Sequence, residues 1–129
     1  MKKIFMVAML TLSMVAVYSQ SEKYVKAMEK NIGLLDEAMQ KNNFPELANN
    51  FERIAEAEKT QWLPYYYASY CYVMNAFTNE DKSKTDGVAD KAEELIKKAE
   101  ELAGGENSET CVIKSMIASA HMIVDPMTR

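Results

Sequence analysis

The single histidine of the chain, His121, is the first residue to test for chemistry, because imidazole is both a metal ligand and a general base. A protein zinc site needs several convergent nitrogen, sulfur or carboxylate ligands. No Cys-x-x-Cys or His-x-x-x-His spacing occurs in the sequence, and the helical neighbours Ile117 and Val124 can neither bind an ion nor orient the ring. We therefore expect a structural histidine on a helix, and predict no metal site and no cofactor.

Carboxylates occur as adjacent acid pairs at 93–94 and 100–101, on a charged helical face. General acid catalysis needs an apolar pocket that raises the pKa of one carboxyl, and this pattern provides none. The polar segment 79–87 superficially resembles a calcium loop, but Lys82 and Lys84 fall where the first acidic ligands belong and would repel the ion. We predict a solvated loop there, no catalytic residues, and no enzyme activity.

Aromatic residues are concentrated in the segment 62–77, which is the best candidate for a binding surface. Tyrosine and tryptophan combine a large apolar area with a polar tip, and they dominate many binding hot spots. Two interpretations remain open from composition alone. The rings either fill the core between helices or present a surface to a partner.

The N-terminus has the three-part pattern of a secretory signal peptide. Met1–Lys3 is basic, residues 4–17 form an uncharged run, and Ser19 provides a small residue at the cleavage edge. The apolar run is about 21 Å long, shorter than the roughly 30 Å hydrocarbon core of a bilayer. We predict a signal peptide over 1–19 and an exported domain over 20–129, periplasmic or secreted. An uncleaved membrane anchor is the alternative.

The charge of the chain argues against nucleic-acid binding. The formal net charge is −4, and cleavage would remove Lys2 and Lys3 and leave −6. No second hydrophobic stretch reaches membrane-spanning length, so we expect no stable membrane insertion after signal cleavage. Cys71 and Cys111 would then lie in an oxidising compartment, either disulfide-bonded or free as small hydrophobes.

Apolar residues recur at three- and four-residue spacing, which predicts five helices and almost no strand. A strand is the alternative for the tyrosine-rich segment 62–77, although sixteen residues are long for one strand. Asn43 and Asn107 or Ser108 are placed to begin helices, and Gly104 and Gly105 to end one. The predicted helices cover about 22–41, 44–59, 62–77, 88–103 and 108–124.

Small residues recur at fixed positions in these helices. The small residue Ala92 is followed four residues later by the bulky Ile96. The small Ala99 comes three residues after that, and the helix breaker Gly104 comes five residues further on. This order resembles the second helix of the tetratricopeptide repeat family, with Gly104 in place of the usual proline. In the preceding helix, Ala68 fits the small position of that family, with Tyr67 before it and Cys71 three after it.

The resemblance covers about 21–124 and is looser in the first helix pair, where Asp36 and Glu52 depart from the pattern. It implies an all-α fold of antiparallel hairpins stacked as a short solenoid. An ordinary helical bundle is the alternative. In that family the first helix of each pair lines a concave groove, so the resemblance implies that Trp62, Tyr65, Ser69 and Tyr72 face the groove. Tyr66, Tyr67 and Tyr70 would then lie mostly in the core.

These features predict a non-catalytic exported scaffold that binds a protein or peptide through a concave aromatic surface. The fifth predicted helix is rich in apolar residues, including Met116, Ile117 and Ile123, where a terminal repeat helix needs a polar face. The natural chain is therefore expected to continue past Arg129, or the protein to form a homo-oligomer through these residues. A self-associating structural subunit and a carrier of a small molecule or sugar are the alternative functions.

Overall fold

The computed structural model describes residues 22–127, so the predicted signal peptide over 1–19 lies outside the described residues. All regular secondary structure within this range is helical, which confirms the prediction of an all-α fold. No helix among the described residues is both long enough and apolar enough to span a bilayer. The helices are α1 (22–32), α2 (Leu35–Lys41), α3 (Phe44–Ala57), α4 (Leu63–Thr78), α5 (Thr85–Ala103) and α6 (Ser108–Val124), with a 3-10 turn at Lys82–Lys84 before α5.

The first predicted helix is divided in two by a turn at residues 33–34. The Leu34 amide donates to the Asn31 carbonyl at 3.1 Å, a three-residue step that replaces the regular four-residue bond. The Asn31 side chain is buried and donates to the Ala27 carbonyl at 2.8 Å. This side chain therefore competes with the backbone amide for a helical carbonyl. The predicted end at residues 41–43 is confirmed, with Asn42 in the left-handed conformation.

The start of α6 is fixed by a capping box. The Asn107 side chain accepts from the Thr110 amide at 2.9 Å, and the Thr110 hydroxyl accepts from the Asn107 amide at 3.1 Å. Asn43 precedes α3 as predicted but does not cap it with its side chain. Its Nδ2 instead donates to Glu46 at 2.6 Å, a contact between two side chains.

The start of α5 differs from the sequence prediction. The helix begins at Thr85, so Gly87 lies inside its first turn instead of before it. The Asp81 carboxylate accepts from the Ser83 amide at 3.1 Å and pairs with Lys84 at 3.2 Å, which orders the short connection to α5. Gly104 ends the helix in the left-handed conformation at φ 84°, as a glycine C-cap requires.

Helix α4 occupies the middle of the bundle and packs on α3, on α5 and, less extensively, on α6. One face of α4 carries the fully buried small residues Ala68, Ser69 and Ala76. The Ser69 hydroxyl donates to the main-chain oxygen of Ala92 on α5 at 2.7 Å. Because a serine side chain is short, this bond requires the backbones of α4 and α5 to approach closely at this point.

Two larger hydrophobic clusters form the core on either side of α4. The first is centred on Phe44 and Phe51 of α3, both completely buried, and Tyr67 of α4 stacks on Phe51 with ring centroids 5.2 Å apart. The second joins Ile96 of α5 to Ile113 of α6. Since α4 contributes side chains to both clusters, its rotation about its own axis determines which residues reach solvent.

The close α4–α5 approach predicts that Ala92→Leu destabilises the protein. Ala92 has no exposed surface, so the extra atoms must displace a helix, at a cost of about 1–3 kcal/mol in the free energy of unfolding. Urea denaturation followed by circular dichroism measures this change. The matched control is Ala103→Leu at an exposed position of α5, which should stay within about 0.5 kcal/mol of the parent. Equal stability of the two variants would contradict the close approach.

Candidate functional site

A stripe of large, half-buried apolar and aromatic side chains runs along one side of α4. Its members are three or four residues apart, the spacing that places residues on one helical face. We define the α4 open face as the set of these five residues, which are Leu63, Tyr66, Tyr70, Met74 and Phe77. This face lies opposite the small residues that contact α5.

The electrostatics of the tyrosines indicate which helices border the α4 open face. Burial and, after it, the charges of Tyr67 and Glu109 raise the pKa of Tyr66. Burial, the Cys71 thiol and the carboxylate of Asp36 raise the pKa of Tyr70. Glu109 belongs to α6 and Asp36 to α2, so one acidic group from each of these helices lies near the stripe.

The aromatic rings at the N-terminal end of the open face are held by contacts with each other. Tyr66 meets Trp62 edge to face with ring centroids 5.9 Å apart, and it meets Tyr67 in the same manner at 5.1 Å. Edge-to-face pairs each add about 0.5–1.5 kcal/mol beyond area burial. Trp62 immediately precedes α4 and is half-buried, so of the predicted groove residues it is the one that borders the open face.

The other residues that were predicted to face a groove point elsewhere. Ser69 is completely buried against α5 and has no accessible surface for a ligand. The Tyr65 hydroxyl reaches the Ala55 carbonyl of α3 at 3.5 Å, a long hydrogen bond. The Tyr72 hydroxyl donates to Glu52 Oε1 of α3 at 2.6 Å. These side chains hold α4 to its neighbours. Tyr66 and Tyr70, predicted to be mostly core, pack against the core clusters and are half-buried as members of the stripe.

The reason for this correction is the rotation of α4 about its axis. The prediction followed the repeat resemblance, which assigns faces by position in a motif. A local signal for the observed rotation exists in the sequence, because Ala68, Ser69 and Ala76 mark the side on which another helix backbone approaches. Large residues on the opposite side, such as Tyr70 and Met74, are then half-buried, packed on the core and partly accessible.

Tyr72 belongs to a polar network that joins three helices. Glu52 accepts from Tyr72 through Oε1, and its Oε2 lies 3.5 Å from Lys91 Nζ of α5. Burial, followed by the hydrogen bond and charge of Glu52, raises the pKa of Tyr72. The network therefore favours the protonated phenol and ties α3, α4 and α5 together on the side away from the open face.

The carboxylates and cysteines show ordinary structural roles. A hydrogen bond from Lys97 is the main cause that lowers the pKa of Glu93, the opposite of what a general acid requires. Cys71 and Cys111 are both free, and burial raises the pKa of the Cys71 thiol to about 12. A thiol with this pKa remains protonated at neutral pH and packs as a small hydrophobe.

His121 of α6 lies beside α5, which supplies two carboxylates close to the imidazole. Its Nδ1 is 2.8 Å from Asp86 Oδ1, and its Nε2 is 3.5 Å from Asp90 Oδ1. These partners were not expected from the sequence, because they lie about thirty residues before His121 on another helix. The positions 86, 90 and 93 recur on one face of α5, but only the pairing of α5 with α6 brings them to the imidazole.

The Tyr72–Glu52 contact predicts that Tyr72→Phe lowers the free energy of unfolding by about 1–2 kcal/mol, because it removes a hydrogen bond to a partly buried carboxylate. The control is Tyr70→Phe, which removes a hydroxyl from the open face and should change stability by less than about 0.5 kcal/mol. Urea unfolding measures both. A loss in Tyr70→Phe with none in Tyr72→Phe would contradict the assignment of faces.

The comparisons with known proteins assign no relative to this chain. No protein-family model matches the sequence, and no curated protein and no solved structure is significantly similar to it.

Proposed function

We propose that this protein is an exported, non-catalytic scaffold of stacked helical hairpins, similar to tetratricopeptide repeats, that binds a protein or peptide through the α4 open face. The single observation that carries the proposal is the stripe itself. Five large side chains, two of them tyrosines, remain partly accessible along one side of a helix that packs on α3, α5 and α6. The inner parts of these side chains pack on the core clusters, and their accessible parts give one side of α4 an apolar and phenolic surface.

The order of helix contacts supports the hairpin stack. Each of α3, α4, α5 and α6 packs on the next, and α4 also contacts α6, two positions along the chain. This is the contact order expected when alternate helices of a solenoid lie side by side on one surface. The repeat-like positions Ala92, Ile96 and Ala99 are completely buried, as the close packing of such hairpins requires.

The chemistry of the open face indicates the kind of ligand. Leu63, Met74 and Phe77 offer apolar contact, and the phenols of Tyr66 and Tyr70 offer polar groups within it. Acidic residues on the bordering helices, together with the negative net charge of the chain, favour a ligand that carries basic groups. We propose an extended or helical peptide segment with apolar or aromatic anchors next to lysine or arginine.

Site-specific photo-crosslinking tests the proposed function. p-Benzoyl-phenylalanine replaces Tyr70 in cells that express the full chain, and irradiation should yield an adduct with a second, different polypeptide identified by mass spectrometry. With that partner purified, Tyr66→Ala and Tyr70→Ala should each weaken binding at least about tenfold, as expected for aromatic hot spots. Binding is measured by titration calorimetry.

The matched control places the same crosslinker at Glu94, an exposed position of α5 with 74% side-chain exposure. No adduct should form with the partner there. Failure to form an adduct at Tyr70, or equal yield from both positions, would contradict a binding surface on α4. A Tyr70 adduct between two copies of this chain would instead support self-association.

Self-association is the second candidate function, and the exposed side of α6 favours it. Val112, Met122, Ile123 and Val124 are between 37% and 56% exposed. Of the residues predicted to form an interface, only Ile123 belongs to this exposed set. Ile117 is buried with 4% exposure, and Met116 is half-buried against the core.

Assembly through α6 predicts that the mass measured by light scattering rises with protein concentration. Ile123→Asp should return the mass to that of the monomer, and its circular dichroism spectrum should remain helical. Val25→Asp is the control, because Val25 is equally exposed, at 44%, but lies on α1. A parent protein that stays monomeric over the whole dilution series would eliminate this function. Ile117→Asp is unsuitable because a buried charge would unfold the chain.

A further inference from the structure

Four ionisable side chains converge between α5 and α6. Asp86, Asp90 and Glu93 are four and three residues apart, so they share one face of α5. His121 of α6 meets this face, with only 14% of its side chain exposed. One ligand atom each from Asp90, Glu93 and His121 lie within 4.8 Å of one another.

The imidazole of His121 is oriented by its contact with Asp86. Nδ1 lies 2.8 Å from the Asp86 carboxylate, and because a carboxylate can only accept, we assign the ring N–H to Nδ1, which donates a hydrogen bond to that oxygen. The lone pair then resides on Nε2, which faces Asp90 at 3.5 Å. A carboxylate that holds one nitrogen of a histidine while the other nitrogen binds an ion is the usual arrangement around protein-bound zinc.

The distances are compatible with an ion between these groups. Two ligands bound to tetrahedral Zn²⁺ at 2.0–2.1 Å stand about 3.3 Å apart, close to the 3.5 Å between His121 Nε2 and Asp90 Oδ1. Glu93 completes the set by a rotation of its partly exposed side chain. We propose that Asp90, Glu93 and His121 bind Zn²⁺, with Asp86 as the positioning residue for the imidazole.

The donor set favours zinc over the common hard cations. Ca²⁺ and Mg²⁺ are bound by oxygen ligands, and imidazole is a poor substitute for them. Zn²⁺ accepts imidazole nitrogen and carboxylate oxygen together. Bound to groups from both α5 and α6, the ion would clamp the last helix of the described chain to the rest of the bundle.

A cleft between α5 and α6 opens beside the proposed site. Its volume is about 290 Å³, and Glu93, Lys97, Ile117 and His121 are among its lining residues. It gives an ion access from solvent and leaves room for water as a fourth ligand. Lys97 lies 2.6 Å from Glu93 Oε1 and competes with an ion for this carboxylate, but the lysine is 65% exposed and free to rotate into solvent.

Calorimetric titration with ZnCl₂ tests the site on metal-free protein purified from cells that express the full chain. We expect one ion bound per chain. His121→Ala and Asp90→Asn should each weaken binding at least about tenfold, and Asp86→Asn should weaken it about tenfold through loss of the ring orientation. Lys97→Ala should tighten binding, because it removes the competing cation.

The matched control is Glu94→Gln, which removes a neighbouring acidic charge that pairs with Lys91 and is not among the clustered ligands, and it should leave Zn²⁺ binding unchanged. Asp90 is 70% exposed, so Asp90→Asn keeps the test valid even if His121→Ala fails to fold. The proposal is overturned if the parent binds no Zn²⁺, if both ligand variants bind it as tightly as the parent, or if Ca²⁺ binds in preference to Zn²⁺. None of these residues belongs to the α4 open face, so the outcome is independent of the proposed function.

Discussion

The hydrogen bond from Ser69 to the backbone of Ala92 marks the contact on which the rest of the structure depends. It requires α4 and α5 to approach until a short side chain on one helix reaches the main chain of the other. Only small residues permit this approach, and Ala68, Ala76 and Ala92 provide them with no exposed surface. Once this contact is made, the rotation of α4 about its axis is fixed.

Everything else about the aromatic helix follows from that rotation. Tyr65 and Tyr72 lie on the same side as Ser69 and reach α3. There Tyr72 donates to Glu52, which also pairs with Lys91 of α5. The opposite side carries Tyr66 and Tyr70, which pack in part on the core clusters and stay partly accessible. The tyrosines therefore divide into a set that hydrogen-bonds to α3 and a set on the opposite side of α4, although they are close in sequence and identical in type.

Much of the fold is predictable from the sequence because it depends on local patterns. The capping box at Asn107, the glycine end of α5 and the helical periodicity each involve residues within a few positions of one another. The break at Gly33 was missed because the apolar stripe runs through it without interruption. The site was predicted less well, since the rotation of α4 and the carboxylates around His121 depend on contacts between helices distant in sequence.

Helix α5 links the two proposed sites without sharing residues between them. Its alanine face supports α4 and so presents the α4 open face to a partner. Its acidic face meets His121 and connects α6 to the bundle. A ligand on the first site and an ion on the second would act on separate sides of the same helix, so either can be lost while the other remains.

Proton–proton contacts of the α4 tyrosine rings, measured by nuclear Overhauser spectroscopy, test the rotation of α4 most directly. The account predicts contacts from the Tyr72 ring to Glu52 and from the Tyr65 ring to Ala55, both on α3, and contacts from the Tyr70 ring to α2. Contacts from Tyr65 and Tyr72 to α2 or α6, with none to α3, would contradict it and return these residues to the open surface.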